Sequence, residues 1–493
     1  MINLKSMSLS ALAVIQATRA FSLNAASVSA TRYRYGHLAP RTRCRHTAPR
    51  RTKDGDAKQQ DTRMEAGASP DSPSPVLGRG REVFSLAPMM EYTDRHMRYL
   101  LRLLSTRTVL WTEMVPALTI NHNHDDLGRF LTYNEEVEHP VVLQIGGSDT
   151  KDVREACRLA RPYNYDAINL NCGCPSDKVA GKGAFGAALM RSPSLVKDLC
   201  LAMRDGAGEG TPITVKCRIG VDEDDSYEQV AAFVEEVSRG AGVNHFIIHA
   251  RKAILGGLSP AQNRNIPPLK YDYVYRLVRD FPDVDFTLNG GVNTYEEALS
   301  CLEQGAHGVM VGRSWSSNPW YWSQADSKLF GTKDPGLTRR EVLERYAEYG
   351  ERQEKTYGDN WLACRRRLAK PIWHLFHGEK GGKKFRVALE SMLREDKSFG
   401  EIVQKSLLAM PQDQVDWLPG ENWRSRQVEG EEQAGRADSL AQDEDPGCVS
   451  SLSSSSPSSS PSSLSSSPPS PSSSARGVPD GRFRDGRLLY INE

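Results

Sequence analysis

The sequence predicts an α/β protein: a (β/α)8 TIM barrel followed by a small helical domain, with disordered N- and C-terminal tails. Three observations predict it. Eight short runs rich in apolar and β-branched residues end in Gly, Pro, Asn or Arg, and helix-like segments separate them. No G-x-G-x-x-G follows the first run, which sets a doubly wound sheet below the barrel. Parallel strands this short each need a crossover helix before the next can pair.

In chain order the runs are VFSLAPMM from Val83, TVLWTEMV from Thr108, VVLQIGG from Val141, AINLNCGCP from Ala167, ITVKCRIG from Ile213, HFIIHAR from His245, VDFTLNGGV from Val284 and GVMVGR from Gly308. Connecting segments such as SYEQVAAFVEEVSR (Ser226 to Arg239) and TYEEALSCLEQG (Thr294 to Gly305) carry apolar residues at helical spacing. Thr338-x-x-Glu341 is a capping-box pattern, after which Val342, Tyr346 and Tyr349 keep helical spacing. The predicted organisation is a transit peptide and linker over 1–79, the barrel over 80–332, the helical domain over 333–410 and a Ser/Pro-rich tail over 411–493.

Composition narrows the function classes. A chain of 493 residues with 39% hydrophobic and 25% charged residues has ample material for a core. At a formal net charge of +1, affinity for a polyanion has to come from local clusters of cations. The nine cysteines contain no C-x-x-C or zinc-type spacing, so free thiols and no bound metal are expected. No apolar run approaches the roughly 18 residues that span a bilayer, so no membrane is expected as a partner.

The ends differ from the middle. Met1 to Lys53 holds ten Lys or Arg and no acid among many Ser, Thr and Ala, which predicts targeting to an organelle, plastid or mitochondrion. Its apolar stretch, Leu9 to Ala17, also suits the core of a secretory-type signal, with ATRAFS (Ala17 to Ser22) near a cleavage point. The protein is cytoplasmic if the segment is not used. Ser450 to Ser474 contains only Ser, Pro and Leu, a stretch that cannot bury enough apolar surface to offset its ordering entropy.

In a barrel the chemistry sits where strands end, on the carboxyl side. Polar and special residues gather at those ends: Pro88 and Met90, Glu113, Gln144, Asn169 with Asn171 and Cys174, Lys216 with Arg218, His249 with Arg251, Asn289 with Gly290 and Gly291, and Gly312 with Arg313. Taken singly each reads as a loop residue with a satisfied hydrogen bond; the same pattern on most of the strands points to a site. The glycines after the last two strands leave backbone N–H groups bare near where barrels hold a phosphate, and Arg313 adds a charged fork. A flat cofactor with a phosphate tail is therefore expected across the mouth, with Gln144, Lys216 and His249 at its polar edge.

APMMEYTDRHMR (Ala87 to Arg98), LQIGG (Leu143 to Gly147), NLNCGCPSDKV (Asn169 to Val179), GAFGAALM (Gly183 to Met190), VKCRIG (Val215 to Gly220), IHAR (Ile248 to Arg251), LSPAQNRNIPPL (Leu258 to Leu269), NGGV and VGR together resemble the tRNA-dihydrouridine synthases, in the A-type bacterial branch, from about residue 83 to 395. The resemblance implies an FMN-dependent oxidoreductase that uses NADPH to reduce the C5–C6 double bond of a D-loop uridine around position 20. FMN would be held by Pro88, Met89, Met90, Gln144, Lys216, His249, Asn289, Gly290, Gly291, Gly312 and Arg313. The family's acid is the cysteine before the proline, here Cys174, which would protonate C5 as hydride reaches C6. A thiol of ordinary pKa, about 8.5, keeps its proton at neutral pH. Gly173 permits a sharp turn and Pro175 stops the strand, while Cys172 reads as a small packing residue.

Trp361 to Arg386 holds eight cations against one acid, Glu379, interleaved with Trp361, Trp373, Phe376 and Phe385. Alone it reads more readily as a solvated helix face than as an RNA surface. The resemblance implies tRNA contacts at Asn171, Arg264, Lys383 and Arg386; a basic residue expected near Ala261 is absent, and Lys383 stands where the family tends to have Arg. A monomer is expected. Two alternatives stay open: an FMN barrel acting on a free pyrimidine, and a tRNA-binding relative without catalysis.

Overall fold

The computed structural model describes residues 83–176, 179, 185–357 and 361–421. The expected transit segment 1–79, residues 422–493 of the expected tail and most of the loop 177–184 lie outside the described residues. Strands β1 (Phe84–Leu86), β2 (Leu110–Pro116), β3 (Val141–Gly146), β4 (Ala167–Cys172), β5 (Ile213–Arg218), β6 (His245–His249), β7 (Asp285–Asn289) and β8 (Gly308–Val311) form one sheet in the order β1-β8-β7-β6-β5-β4-β3-β2, every pair parallel. A parallel bridge between Ser85 and Val109 brings the two ends together, with Leu86 N–H donating to Val109 O at 2.9 Å and Val109 N–H to Phe84 O at 3.1 Å. These bonds close the ring, so the sheet has no open edge. All eight runs picked out in the sequence are strands.

Helices alternate with the strands: α1 (Arg95–Leu104), α2 (Ala117–His122) and α3 (Gly128–Leu131), α4 (Thr150–Ala160), α5 (Pro193–Ala207), α6 (Tyr227–Ala241), α7 (Tyr271–Asp280), α8 (Tyr295–Glu303), then α9 (Arg313–Ser317) and α10 (Ala325–Phe330). Their starts are written locally. Ser226 and Thr294 each accept an N–H from the third helical residue, Gln229 or Glu297, whose side chain reaches back to the cap. Such reciprocal caps satisfy two of the four N–H groups a helix start leaves unpaired.

The strands read as almost continuous hydrophobic runs because both of their faces are buried. Outward residues such as Phe84, Leu143, Leu170, Val215, Ile248, Leu288 and Val309 join the large core under the helices. Inward residues Ala87, Val109, Trp111, Val142, Ala167, Ile247 and Met310 form a small separate cluster inside the ring. Successive side chains on a strand alternate between faces, so the residue two places on from an inward one is inward again. From Val142, Ala167 and Ile247 that step leads to Gln144, Asn169 and His249, where the barrel interior turns polar.

After the barrel come α11 (Arg339–Tyr357), α12 (Trp361–Ile372), α13 (Gly382–Met392), α14 (Phe399–Leu407) and α15 (Gln412–Val415). The predicted capping box starts α11: Thr338 N–H donates to Glu341 Oε2 at 2.7 Å and Glu341 N–H to Thr338 Oγ1 at 3.2 Å. The helical region seats on α1, where the Tyr99 and Tyr349 rings stack with centroids 3.9 Å apart and His96 Nδ1 lies 2.9 Å from the Tyr349 hydroxyl. Ordered packing continues beyond the expected boundary at residue 410, because Val415 is fully buried and Arg340 pairs with Asp416 at 2.6 Å.

A buried ion pair, Arg98 Nε to Glu138 Oε2 at 2.6 Å, joins α1 to the segment before β3. Glu138 Oε1 also accepts Asn134 N–H at 2.8 Å, and Arg98 Nη1 donates to Thr93 O at 2.9 Å. Removing one partner strands the other charge away from water. Glu138→Ala is expected to lower unfolding stability by about 3–5 kcal/mol, read as a fall in the urea midpoint at constant slope; a loss below about 1 kcal/mol would contradict the burial argument.

Candidate active site at the mouth of the barrel

Strand β4 ends in the sequence Asn171-Cys172-Gly173-Cys174-Pro175, and alternation separates its two cysteines. Cys172 points outward into the core, fully buried, and burial beside Cys200 and Cys217 pushes its thiol well above the usual range. It is the packing residue the sequence suggested. Asn171 points inward, and its Oδ1 accepts Gly173 N–H at 3.1 Å and Cys174 N–H at 3.0 Å, bending the chain back over the strand end. Arg218 Nε donates to Gly173 O at 2.9 Å, and Cys174 O accepts Ala187 N–H at 2.9 Å. Gly186 has φ +69°, and a Cβ there would lie 2.6 Å from Cys174 O. Only glycine lets the following loop approach so closely. Among the described cysteines, Cys174 alone is not buried.

Inward polar side chains surround that turn in one hydrogen-bonded series. Asn171 Nδ2 donates to Gln144 Oε1 at 2.8 Å, Gln144 Nε2 to Asn169 Oδ1 at 2.9 Å, and Asn169 Nδ2 to Thr214 Oγ1 at 2.9 Å. Across the ring Lys216 Nζ donates to Asn289 Oδ1 at 2.8 Å, and Asn289 Nδ2 to Met310 O at 2.8 Å. Register places His249 beside both Arg218 and Asn289. His249 as a residue is half-buried; enclosure first, and then the charges of Arg218, Lys216, Arg251 and Arg313, hold its pKa well below the usual value, so the ring is neutral at pH 7.

The glycines after β7 and β8 lie against these groups. Gly290 and Gly291 have φ +119° and +81°, and a Cβ on Gly290 would sit 2.8 Å from His249 Cδ2. A Cβ on Gly312 would sit 3.2 Å from Ala87 Cβ and 3.3 Å from Met89 Sδ. Arg313 is exposed, its Nη1 donating to Asn265 Oδ1 at 2.6 Å. Pro88 and Met89 are half-buried after β1, with Met89 N–H donating to Thr93 Oγ1 at 3.0 Å, and Met90 is exposed. The structure thus gathers Pro88 to Met90, Gln144, Asn171, Cys174, Lys216, His249, Asn289 to Gly291, Gly312 and Arg313 at one end of the ring.

A cavity of about 1010 Å³ runs from Met90 and Glu113 at the mouth to Tyr357 and Arg367 in the helical region. Burial pushes the Glu113 carboxyl above the usual range, and Glu113 accepts the N–H of Glu91, which has φ +65°. The Glu91 carbonyl accepts Lys370 Nζ at 2.5 Å, and that ammonium lies 4.1 Å from the Tyr92 ring centroid. A lysine of the basic stretch therefore ties α12 to the loop after β1.

The basic stretch divides in two. Arg365 is buried, pairs with Glu354 and donates to Glu395 O at 2.7 Å, so it serves the fold. Phe376 and Phe385 are core residues, their centroids 4.9 Å apart. Arg366, Arg367, Lys380, Lys383 and Lys384 are exposed and Arg386 is half-buried. Arg264 is exposed on the loop after β6, within Coulombic reach of Cys174 and Arg313. Asn171 is 9% exposed, with its oxygen and its amide nitrogen both engaged. The sequence marked Arg218 only as a strand-end residue beside Lys216, and nothing local signalled its carbonyl partners.

A sequence profile of the family described as Dihydrouridine synthase (Dus) matches residues 85–410. The chain is similar to the tRNA-dihydrouridine(20/20a) synthase of Vibrio cholerae, 42% identical over 331 residues, 67% of this chain and 97% of the relative. The proteins of the same name from Pseudomonas putida, 43% identical over 328 residues (66% and 93%), and Escherichia coli K12, 46% over 305 residues (62% and 84%), match comparably.

Reactivity of the described thiols follows from their surroundings. Burial holds Cys157, Cys200, Cys217 and Cys364 up to about 12 and raises Cys301. Iodoacetamide on the native protein, followed by peptide mapping, is expected to label Cys174 and spare these five and Cys172. Labelling of Cys172 as fast as Cys174 would contradict the assignment of faces at the end of β4.

Proposed function

The chain belongs to the dihydrouridine synthase family, and from that premise we propose that it reduces the C5–C6 double bond of a D-loop uridine of tRNA, at position 20 or 20a, with FMN as resident cofactor, NADPH as reductant and Cys174 as proton donor. The observation that carries the proposal is the Cys174 turn: the one described cysteine that is not buried, pinned by Asn171 and Arg218 at the polar end of the barrel.

The residues present fit FMN. Gly290 and Gly312 leave room that a side chain would take, and Gln144, Lys216, His249, Asn289 and Arg313 offer the donors and positive charge that an anionic, flat cofactor requires. When bound, FMN supplies the hydride that goes to C6 of the uracil. Lys216 contributes fixed positive charge at the cofactor's edge. Neutral His249 can donate or accept a hydrogen bond there without adding a sixth cation to Lys216, Arg218, Arg251, Arg264 and Arg313. Cys174 gives its S–H proton to C5, and the sulfur left behind lies within Coulombic reach of Arg218 and Arg264. The uracil has to leave its stack to reach the mouth, which costs a few kcal/mol that contacts to the tRNA backbone must offset. Arg264 beside the mouth and Lys383 and Arg386 in the helical region support that role, and Asn171 supports it through the turn it shapes.

On an unmodified tRNA transcript, Cys174→Ala is expected to slow dihydrouridine formation about 10²- to 10⁴-fold in a single turnover while flavin absorbance and tRNA affinity persist; full activity would overturn the proton-donor role. A second measurement concerns binding. Lys383→Ala with Arg386→Ala is expected to weaken tRNA binding and to make its salt dependence shallower by about one unit of slope per lost phosphate contact. An unchanged slope would remove these residues from the RNA surface.

A further inference from the structure

Arg218 is a buried cation with no carboxylate partner among the described residues. It is 2% exposed, and three of its N–H donors go to backbone carbonyls: Nε to Gly173 O at 2.9 Å, and Nη1 to Lys252 O at 2.9 Å and Asn263 O at 3.1 Å. Burial lowers its pKa to about 10, which leaves it charged at neutral pH. Desolvating a guanidinium for neutral carbonyls alone is an expensive arrangement, and a structural role would be met more cheaply by an apolar residue of similar volume.

The carbonyls it holds come from separate loops, and each loop carries a functional group. Gly173 precedes Cys174. Asn263 precedes Arg264 and Asn265, and Asn265 in turn accepts Arg313. Asn263 is itself locked, its Oδ1 accepting Ile254 N–H at 2.8 Å and its Nδ2 donating to Ile254 O at 2.8 Å. The loop after β6 is therefore a firm body, and Arg218 is the bar that fixes the cysteine turn to it. From the other side the turn is held through Asn171 Oδ1, which is anchored to the inward amide series by the Asn171 to Gln144 bond. Asn171 thus controls the N–H side of the turn and Arg218 its carbonyl side.

We propose that Arg218 is a positioning residue: by gripping the Gly173 and Asn263 carbonyls at once, it fixes the sulfhydryl of Cys174 relative to Arg264 and the uracil between them. The proposal rests on Cys174 being the proton donor. A lysine at 218 keeps the charge but has neither the planar fork nor the reach to serve separate loops together, so charge and geometry are separable. Misplacement of a reacting group by about 1 Å costs on the order of 10²-fold in rate.

The test uses Arg218→Lys and Arg218→Met in the full-length, flavin-loaded protein, with Cys174→Ala as reference. Both Arg218 variants are expected to lose about 10- to 100-fold in single-turnover dihydrouridine formation at saturating tRNA. Flavin reduction by NADPH is expected to stay within about twofold, and alkylation of Cys174 by iodoacetamide to change severalfold. If Arg218→Met fails to fold, Arg218→Lys carries the test alone. Cys174 alkylation and turnover both unchanged in Arg218→Lys would overturn the proposal, and so would an alkylation change without a turnover loss. Full activity of Cys174→Ala would instead overturn the proton-donor role, a result separate from the alkylation readout.

Discussion

A strand turns successive side chains to opposite faces, and the site at the barrel mouth depends on that alternation being kept to the last residue of β4. Asn169 and Asn171 enter the ring; Cys172 leaves it and is lost to chemistry in an apolar shell. The chain then has to reverse at once if the next cysteine is to return over the mouth. Asn171 makes the reversal by accepting two consecutive N–H groups, and the turn packs over β5 at ordinary contact distance, since even a Cβ at 173 would lie 3.5 Å from Lys216 O. One carboxamide is therefore both the end of the barrel's inner polar series and the start of the Cys174 turn. Two thiols two residues apart receive opposite fates from the same geometry.

Around that turn the chain concentrates positive charge that its overall composition conceals. Net charge is +1 over 493 residues, yet Lys216, Arg218, Arg251, Arg264 and Arg313 converge on one end of the ring. Clustered cations in a partly desolvated cleft attract an anionic ligand far more strongly than the same charges spread over a surface. Enclosure away from water keeps His249 neutral, and these charges add to the effect, since a further positive charge among them would be unfavourable. The helical region is coupled to the same end of the barrel through Lys370, which holds the Glu91 carbonyl, and through the stacked pair Tyr99 and Tyr349.

The fold was legible because each apolar run is bounded by Gly, Pro, Asn or Arg, and because helix starts such as Ser226, Thr294 and Thr338 are fixed within four residues of sequence. The inward residues of the mouth were legible for the same reason: a period of two needs no tertiary information. What escaped was set by contacts between distant segments. Arg218 was visible as a strand-end residue, but its partners lie 34 to 45 positions away in chain number. In Trp361 to Arg386 the cations and aromatics looked alike until packing sorted them. Arg365 went inside to meet Glu354, Phe376 and Phe385 went into the core, and Lys383 stayed in solvent.

The most direct measurement is the position of the Cys174 sulfur in a crystal structure of the flavin-loaded protein. A sulfur facing the flavin ring across a gap of about 7 Å, twice the near-attack spacing of roughly 3–3.5 Å and so wide enough for one nucleobase, is the expected result. A sulfur turned into the barrel wall, or separated from the flavin by other side chains, would contradict it.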